Sequence, residues 1–448
     1  MFKRNIISEL SKWKASDYRK PLILRGARQV GKTTTVHEFG KTYANYLYYN
    51  LEDISNVNIF EQDRPIADLV NFLYLNRNQK KLGETLLFID EIQNSPRTIA
   101  KLRYFYEEVP DLHVITAGSL LENVVDLKAS FPVGRVQYLP MYPCSFREFL
   151  IAMGEEHLVE IMKMPDDTVA IHASLQSFFN QFFIVGGMPE IVARYANYRD
   201  VVALDDVFEA LLQNYRDDVE KYVNKKTVNE AVRFILTYGW EKAGEIIRLG
   251  NFANSSYASR EVGEAFRLLQ KAMLLELVYP TTSTVVPALP ELRRMPKLIW
   301  FDTGMVNYAA QVRGEILGNI DILDLWRGRI AEQIVAQELL TLNYKIGQKR
   351  CFWSKGEGSN GAEVDFVWVV DGQLIPIEVK SGHNSKLKSL HSFIDQSTTR
   401  VAVRVWSQPL SINHVKTSFG KKDFTLINLP FYLVGDLENV VRRVIRNI

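Results

Sequence analysis

A glycine-rich run near the N-terminus constrains the fold more than any other feature of the sequence. Residues 26–33 read GARQVGKT and match the pattern G-x-x-x-x-G-K-[ST]. The two glycines let the backbone curl so that successive N–H groups point at a phosphate, while Lys32 can reach further phosphates and Thr33 can bind Mg²⁺. An apolar run precedes the motif and a helical stretch follows it, so a helix N-terminus adds its field. The predicted phosphate-binding residues are Gly26, Ala27, Arg28, Gln29, Val30, Gly31, Lys32, Thr33 and Thr34.

A second motif is a buried strand that ends in two carboxylates. Residues 85–91 read TLLFIDE, so that Asp90 lies 58 residues after Lys32 (90 minus 32). Asp90 would hold Mg²⁺ through water, and Glu91 would act as general base on an attacking water molecule. The presence of Glu91 next to Asp90 favours hydrolysis of a nucleotide over binding alone.

The distribution of apolar residues predicts an α/β chain with a helical middle. In the first third, short apolar runs alternate with polar helical stretches, which is typical of a parallel sheet. These runs are Pro21–Leu24, Tyr46–Tyr49, Thr85–Ile89 and Leu112–Ala117. The middle is helical, as the spacing of Val262, Phe266, Leu269 and Met273 indicates, and it ends in a β-rich patch. Helix followed by hairpin is the outline of a winged helix, although any small helical lid could give it.

A hairpin is predicted near the C-terminus. Asp371-Gly372 lies between two apolar-alternating runs, which is the strongest short signal for a two-residue type I′ turn. If these residues form the loop, Val370 pairs with Gln373, and all paired positions sum to 743 (370 plus 373). The register of the two strands is then fixed.

This register brings polar side chains together on one face of the hairpin. Asp365 falls opposite Glu378, and Glu363 falls opposite Lys380. Opposed carboxylates repel unless a divalent cation compensates them, and carboxylates with a lysine suit metal-assisted phosphodiester cleavage. Glu332, in a predicted helix upstream, could supply another acidic ligand. The alternatives are an ordinary surface hairpin, which leaves the opposed carboxylates unexplained, and a nuclease-type fold that has lost or redirected its chemistry.

Several segments resemble the AAA+ ATPases: GARQVGKTT, TLLFIDEIQ and the strand that ends in AGSL. More narrowly, the chain is similar over nearly its whole length to a group of bacterial and archaeal ATP-binding proteins whose C-terminal domain has no assigned function. The segments MYPCSFREFL, VGGMPEIV and KLIWFDTGM share in this resemblance. It implies that ATP and Mg²⁺ bind and that ATP is hydrolysed at Lys32, Thr33, Asp90 and Glu91.

The same resemblance implies two further roles. In ATPases of this kind, the strand beside the Asp-Glu strand carries a small polar residue at its tip that senses the γ-phosphate. Ser119 suits that role, with Thr116 as the weaker alternative. Arg135 or Arg147 could act as an arginine finger that reaches the nucleotide of a neighbouring copy in a homo-oligomer, although a surface or structural arginine is the commoner explanation.

The C-terminal pattern E-V-D…E-V-K resembles the PD-(D/E)XK nuclease superfamily. Asp365 falls on its metal-binding Asp, Glu378 and Lys380 fall on its E-x-K, and Glu332 falls on its helical Glu. The resemblance therefore implies a metal site at Glu332, Asp365 and Glu378, with Lys380 as a catalytic residue.

Together these resemblances imply an α/β chain of three domains. A P-loop AAA+ type domain with a parallel sheet is expected at residues 1–165. A helical and winged-helix-like domain is expected at 166–315, and a restriction-endonuclease-like α/β domain at 316–448.

Composition limits the class of protein. Of the 448 residues, 47% are hydrophobic and 24% are charged, which is ordinary for a soluble globular protein. Only two cysteines are present, Cys144 and Cys351, which excludes a disulfide framework and a four-cysteine zinc site. No apolar run reaches the roughly 18 residues of a membrane span, and the N-terminus lacks the apolar core of a signal peptide. We therefore expect a cytoplasmic protein without membrane contact.

Basic side chains are concentrated at both ends of the chain. Residues 1–40 carry 9 basic and 3 acidic side chains, and residues 381–448 carry 10 and 4, so each end has a balance of +6. These ends could contact the phosphates of DNA or RNA, and solvated surface is the ordinary alternative.

Three functions remain open at this point. In the first, ATP turnover brings a C-terminal metal site to a DNA or RNA backbone. In the second, the chain is a regulatory ATPase switch whose C-terminal domain is an interaction module. The third and least favoured is a nuclease that uses the N-terminal domain only as a scaffold. Convergence of the four C-terminal site residues on one cation would favour the first, whereas divergence, or an arginine in place of the metal, would favour the second.

Overall fold

A computed structural model describes residues 2–118, 132–220, 225–312, 328–342, 344, 350–356, 361–380 and 387–447. The described chain forms a five-stranded and an eight-stranded β-sheet with helices packed around them. No helix in these ranges is both long enough and apolar enough to cross a lipid bilayer.

The first sheet is parallel and contains the four strands that the apolar runs predict. Its strands are Leu22–Arg25 (β1), Asn45–Asn50 (β2), Thr85–Asp90 (β3), His113–Gly118 (β4) and Gln137–Pro140 (β5), in the order β2-β3-β4-β1-β5. β3 and β4 are buried along their whole length, as expected for a parallel sheet with both faces covered. The covering helices are Ile6–Lys14 (α1), Lys32–Gly40 (α2), Ile54–Glu61 (α3), Ile66–Asn76 (α4) and Pro96–Glu108 (α5).

The strand order brings the predicted nucleotide-binding elements to one edge of this sheet. β3, β4 and β1 are adjacent, and the carboxyl ends of parallel strands meet at the same edge. The phosphate loop at 26–33 follows β1, Asp90 ends β3 and Gly118 ends β4. Residues that lie far apart in the sequence therefore share one site.

Local sequence signals start two of the helices. The Ser95 side chain accepts a hydrogen bond from the N–H of Thr98 while Pro96 takes the first position of α5, where a missing N–H costs nothing. Ser145 and Glu148 form a reciprocal capping box at the start of the next helix. These caps fix the first residues of the two helices.

The middle of the chain is helical, as predicted. Its helices are Phe146–Ala152 (α6), Glu156–Ile161 (α7), His172–Val185 (α8), Pro189–Tyr198 (α9), Asp205–Glu220 (α10), Lys226–Tyr238 (α11), Ser259–Lys271 (α12) and Thr303–Ala309 (α13). Val262, Phe266 and Leu269 are buried in α12, whereas Met273 lies just beyond its end. Strands Leu275–Thr281 (β6) and Lys297–Trp300 (β7) then pair antiparallel. A winged-helix fold stays a prediction.

The second sheet joins this hairpin to the C-terminal strands. Those strands are Cys351–Ser354 (β8), Glu363–Val370 (β9), Gln373–Val379 (β10), Val401–Trp406 (β11), Ser411–Lys416 (β12) and Asp423–Pro430 (β13). The order is β12-β13-β11-β10-β9-β8-β6-β7, so one mixed sheet spans the predicted boundary at residue 315. Helices Arg329–Thr341 (α14), Lys388–Gln396 (α15) and Leu437–Arg446 (α16) accompany it. The division into three domains stays a prediction.

The hairpin formed by β9 and β10 has the predicted register. Pairing runs from Val370 with Gln373 to Phe366 with Ile377, so that each pair sums to 743. The turn residues Asp371 and Gly372 both have positive φ, 47° and 77°, as a type I′ turn requires.

Candidate functional site

The phosphate loop is folded as its sequence predicts. Gly31, with φ of 92°, lies in the left-handed region directly before α2. A Cβ on Gly26 would lie 2.3 Å from the carbonyl oxygen of Met141, so only glycine fits there. The Lys32 ammonium donates to the carbonyl oxygens of Gly26 and Ala27 at 2.9 and 2.8 Å. The lysine is therefore held over the loop, where phosphates would replace the carbonyl groups as its partners.

The loop is supported by an arginine that the sequence analysis missed. Arg4 donates through Nη1 to the carbonyl oxygen of Val30 at 3.0 Å and through Nε to Glu148 at 3.0 Å. Glu148 also accepts the backbone N–H of Asn5 at 2.6 Å. Arg4 is 8% exposed, and this buried bonding ties the N-terminal segment to the phosphate loop. No motif of the sequence pointed to it.

The two predicted Mg²⁺ ligands of this domain meet. The Thr33 hydroxyl donates to a carboxylate oxygen of Asp90 at 2.7 Å, and the other oxygen accepts the N–H of Glu91 at 3.0 Å. A hydroxyl and a carboxylate are the oxygen donors that Mg²⁺ prefers. The residues present therefore fit a nucleotide with its Mg²⁺ at this position.

A cavity of about 450 Å³ opens above the loop, a volume in the range of small-molecule sites. One wall is formed by the loop, including Lys32, Thr33 and Thr34, together with Glu91. The cavity is also lined by Phe2 and by Pro189, Glu190 and Ala193 of α9. The cavity thus lies between the first sheet domain and the helical middle, which the VGGMPEIV segment could have indicated.

Burial dominates the electrostatics of the cavity. It lowers the pKa of Lys32 to about 8, although the nearby carboxylates of Glu91 and Asp90 act in the opposite direction. Burial also raises the pKa of both carboxyl groups, against hydrogen bonds from Thr33 to Asp90 and from Gln93 to Glu91. A phosphate ligand would favour the charged form of the lysine.

ATP affinity is expected to fall as the pH rises through 8. Below pH 8 the Lys32 ammonium of the free protein is charged, and above pH 8 it is neutral, so that binding of phosphates takes up a proton. We expect the dissociation constant to increase by up to about tenfold per pH unit above that point. Titration of a fluorescent ATP analogue between about pH 7 and about pH 9 measures this, with Lys32→Arg as the permanently charged control. If the affinity of wild type depends on pH as little as that of the Lys32→Arg control, the prediction is contradicted.

Arg28 connects the phosphate loop to the helical middle. Its guanidinium forms ion pairs with Asp218 of α10 and, at 3.3 Å, with Glu52. Its carbonyl oxygen accepts the Tyr215 hydroxyl at 3.1 Å. Two contacts therefore link residue 28 to one helix outside the first sheet.

The structure gives little support for the predicted γ-phosphate sensor and arginine finger. Ser119 lies outside the described residues. Thr116 is buried within β4 and bonds to the carbonyl oxygen of Leu22, so it does not lie at the strand tip. Arg135 forms a 2.7 Å ion pair with Glu107 at the surface. Its role as a finger toward another copy stays a prediction.

Arg147, the alternative finger, contacts the C-terminal region of its own chain. Its guanidinium forms an ion pair with the buried Asp436 and donates to the carbonyl oxygen of Met162 at 3.4 Å. At the preceding residue, the N–H of Phe146 donates to Glu338 of α14 at 3.0 Å. The start of α6 is thus bonded directly to the C-terminal part of the chain.

The predicted carboxylates of the C-terminal region converge on a lysine for which the sequence analysis had no role. Nζ of Lys297 lies 2.5 Å from a carboxylate oxygen of Glu332, 3.3 Å from Glu363 and 3.8 Å from Asp365. Lys297 is the first residue of β7 and is 2% exposed. A basic side chain from the middle of the chain therefore lies among the C-terminal acids.

Glu378 and Lys380 complete this cluster. The Lys380 ammonium lies 2.7 Å from Oε1 of Glu378, while Oε2 of Glu378 is buried without a hydrogen-bond partner. Asp365 lies beside them and accepts the N–H of Val379 at 2.7 Å. The opposed carboxylates of the predicted register are thus adjacent.

Burial and mutual repulsion shift the pKa values of the acidic groups in this cluster. Burial, and then the Asp365 carboxylate, raise the pKa of both Glu332 and Glu378 to about 8. Burial disfavours the charged form of Lys297, but Glu332 and Asp365 outweigh it and raise its pKa. Within the described residues, no group of three or more His, Cys, Asp and Glu side chains is arranged to hold a metal ion. The metal role of Glu332, Asp365 and Glu378 stays a prediction.

A buried aspartate connects the nucleotide cavity to α14. Asp302 accepts the backbone N–H of Gly187 at 2.6 Å and that of Met305 at 2.9 Å. Gln337 of α14 donates to Asp302 at 3.4 Å and accepts the N–H of Thr303 at 2.7 Å. Gly187 is two residues before α9, which lines the cavity. The segments VGGMPEIV and KLIWFDTGM therefore meet at one buried carboxylate.

The basic C-terminal tail is largely occupied by internal contacts. Arg442 lies 3.1 Å from Asp371, and Arg443 lies 2.6 Å from Asp166. Lys422 donates to backbone carbonyl oxygens. The tail therefore gives little support to a continuous surface for DNA or RNA.

Comparison with solved structures finds distant similarities. A Walker-type ATPase of Pyrococcus abyssi is 12% identical, with 69% of this chain and 96% of that chain covered and a TM-score of 0.39. The ORC1 protein of Aeropyrum pernix in complex with DNA is 11% identical, with 68% and 90% covered and a TM-score of 0.26. The RuvB Holliday junction branch migration motor of Thermotoga maritima is 12% identical, with 62% and 90% covered and a TM-score of 0.26.

Comparison with protein families assigns matches to defined ranges of the chain. No curated protein matches the chain. Residues 176–315 and 327–432 each match a domain of unknown function. Residues 18–150 match the AAA domain, and this range contains the phosphate loop, Asp90 and Glu91. Residues 18–150 are therefore an ATPase domain of the AAA type.

Proposed function

We propose that the chain hydrolyses ATP and acts as a switch, in which the state of the nucleotide changes the contacts between the ATPase domain and the rest of the chain. One observation carries this proposal: residues of α9, which lies outside the matched ATPase domain, line the nucleotide cavity together with the phosphate loop. A ligand in the cavity touches both parts at once.

The residues of the cavity support a hydrolytic mechanism. Backbone N–H groups of residues 26–34 and the Lys32 ammonium bind the phosphates of ATP. The Thr33 hydroxyl and the Asp90 carboxylate would hold Mg²⁺, which supplies positive charge to the β- and γ-phosphates when bound. Glu91 takes a proton from the attacking water as its oxygen bonds to the γ-phosphorus, and the bond to the ADP oxygen breaks.

Two connections, one buried and one partly buried, would transmit the change. On one side, α9 leads through Gly187 to Asp302 and on to Gln337 of α14. On the other side, Arg28 of the phosphate loop is bonded to Asp218 and Tyr215 of α10. Packed elements of this kind shift as units, so a movement of α9 or of the loop acts on helices of the middle and C-terminal regions.

The Lys297 ammonium favours the switch over a nuclease. It lies among the carboxylates that would have to bind a metal ion, and it is within hydrogen-bond distance of Glu332. A tethered cation neutralises part of the acidic charge without the open coordination positions that catalysis requires. The C-terminal region then serves as an interaction module.

A second candidate is metal-dependent cleavage of DNA or RNA at the same cluster. The observation that favours it is Oε2 of Glu378, which is buried and has no partner among the described residues. Buried polar atoms normally have a partner, and a cation could be that partner. In this version ATP turnover would bring the C-terminal site to a nucleic-acid backbone.

One assay separates the two candidates. ATP hydrolysis and cleavage of plasmid and single-stranded DNA and RNA are measured together with Mg²⁺ or Mn²⁺, for wild type, Lys32→Ala and Asp365→Ala. We expect ATP hydrolysis that Lys32→Ala abolishes and Asp365→Ala retains, without cleavage by any of them. Asp371→Ala, in the exposed turn of the same hairpin, is the matched control. Cleavage that is lost in Asp365→Ala but kept in this control would favour the nuclease.

A further inference from the structure

A glutamine beside the candidate general base is held in an unusual way. Gln93 lies in the short turn Ile92–Asn94, directly after Glu91, and its Nε2 donates to Oε2 of Glu91 at 2.5 Å. Gln93 is 8% exposed. Among the described residues, the structure shows no other side chain that donates to the Glu91 carboxylate.

The backbone explains how a residue two positions away reaches this carboxylate. Glu91 has φ of 51° and ψ of 43°, a left-handed conformation that is uncommon for a residue with a side chain. The chain therefore turns sharply after Asp90, and the N–H of Asn94 donates back to the carbonyl oxygen of Glu91 at 3.0 Å. The turn lets Asp90 face Thr33 while Glu91 lines the cavity. Strained backbone of this kind is typical of functional sites.

Among the described residues, the side-chain amide of Gln93 forms a hydrogen bond only with Glu91. Its Oε1 is buried and has no partner among the described residues. The opposite orientation of the amide would put its oxygen against the carboxylate oxygen of Glu91, so the donor must face the carboxylate. A residue selected for packing alone would not need a buried amide with one oxygen unpaired.

We propose that Gln93 is a positioning residue for ATP hydrolysis, an inference that rests on the proposed hydrolysis of ATP. Its N–H holds Oε2 of Glu91 and thereby fixes the plane of the carboxylate. Oε1 of Glu91 is then left to accept the proton of the attacking water. A general base must lie within hydrogen-bond reach of that proton, and small displacements lower the rate strongly.

The test compares Gln93→Met with wild type. Methionine keeps the length and the packing of the side chain but cannot donate to Glu91. We expect kcat to fall by at least about tenfold, while the dissociation constant of a non-hydrolysable ATP analogue changes by less than about twofold. Asn94→Ala, in the same turn, is the matched control and should keep kcat within about twofold. If Gln93→Met does not fold, Gln93→Leu serves, because it also removes the donor.

A double-mutant cycle distinguishes positioning from a structural role. If Gln93 acts through Glu91, adding Gln93→Met to Glu91→Gln lowers kcat no further. The inference would be overturned if Gln93→Met lowered kcat by the same factor in Glu91→Gln as in wild type. It would also be overturned if Gln93→Met alone kept the wild-type kcat. If wild type binds ATP but none of the proteins hydrolyses it, the proposed function fails and the inference fails with it.

Discussion

Glu91→Gln is expected to bind ATP as tightly as wild type and to hydrolyse it about 10²–10⁴-fold more slowly, the usual effect of removing a general base. The change removes the proton acceptor but keeps the size of the side chain. Thr33, Asp90 and Lys32, which form the phosphate and Mg²⁺ site, are left in place. Single-turnover phosphate release measures the rate, and a fluorescent ATP analogue measures the affinity.

Glu38→Gln provides the matched control for this experiment. Glu38 lies on α2, the helix that begins at Lys32, and its only ion pair in the described residues is an exposed one with Lys41. The Glu38→Gln variant should hydrolyse ATP within about twofold of the wild-type rate, since exposed ion pairs contribute little to stability. A Glu91→Gln variant that hydrolyses ATP as fast as this control would remove Glu91 from the mechanism.

Asp302→Ala is expected to lower the free energy of unfolding by about 3–5 kcal/mol, because it leaves several buried N–H groups without an acceptor. Asp302 is fully buried and accepts from Gly187 and Met305. The carboxylate is closely packed against the turn before α9, since a Cβ on Gly186 would lie 2.5 Å from Oδ1 of Asp302. The midpoint of urea unfolding measures the loss.

The same variant should weaken ATP binding, because Asp302 fixes the turn before α9. Asp423→Ala is its control: Asp423 is 72% exposed at the side chain and pairs with Lys416 at 3.6 Å. We expect this control to change stability by less than about 0.5 kcal/mol. Equal stability of the two variants would show that the Asp302 bonds do not hold the regions together.

The sequence predicted the parts of the fold that depend on local signals. The phosphate loop at 26–33 and the strands around it follow from glycine positions and apolar runs. The register of β9 and β10 follows from Asp371-Gly372, because a two-residue turn leaves only one pairing. In both cases the interacting residues are close in sequence or are fixed by a turn.

The contacts that join the three regions could not be predicted in this way. Asp302 and Gly187 are 115 residues apart, and Lys297 and Glu332 are 35 residues apart. Lys297 and Asp302 both lie in the segment KLIWFDTGM, but the resemblance of that segment to a family assigns neither residue a partner. The partners of both residues become apparent only in the folded chain, where β7 and α14 pack together. The pairing of β6 with β8 was missed for the same reason, since nothing local to either strand specifies it.

The most direct test of the switch is hydrogen exchange of the full chain, measured with and without ATP. Glu91→Gln serves as the non-hydrolysing protein, and Lys32→Ala, which lacks the phosphate-binding ammonium, serves as the control. We predict that ATP changes the protection of backbone amides at 185–192, 302–309 and 329–341 in Glu91→Gln but not in Lys32→Ala. Such changes would show that the nucleotide acts on the Asp302 connection and on α14.

The contradicting result is equally specific. If ATP changes the protection only at residues 26–34 and 90–94, the nucleotide binds without altering the contacts between the regions. The chain would then be an ATPase whose C-terminal cluster is independent of the nucleotide.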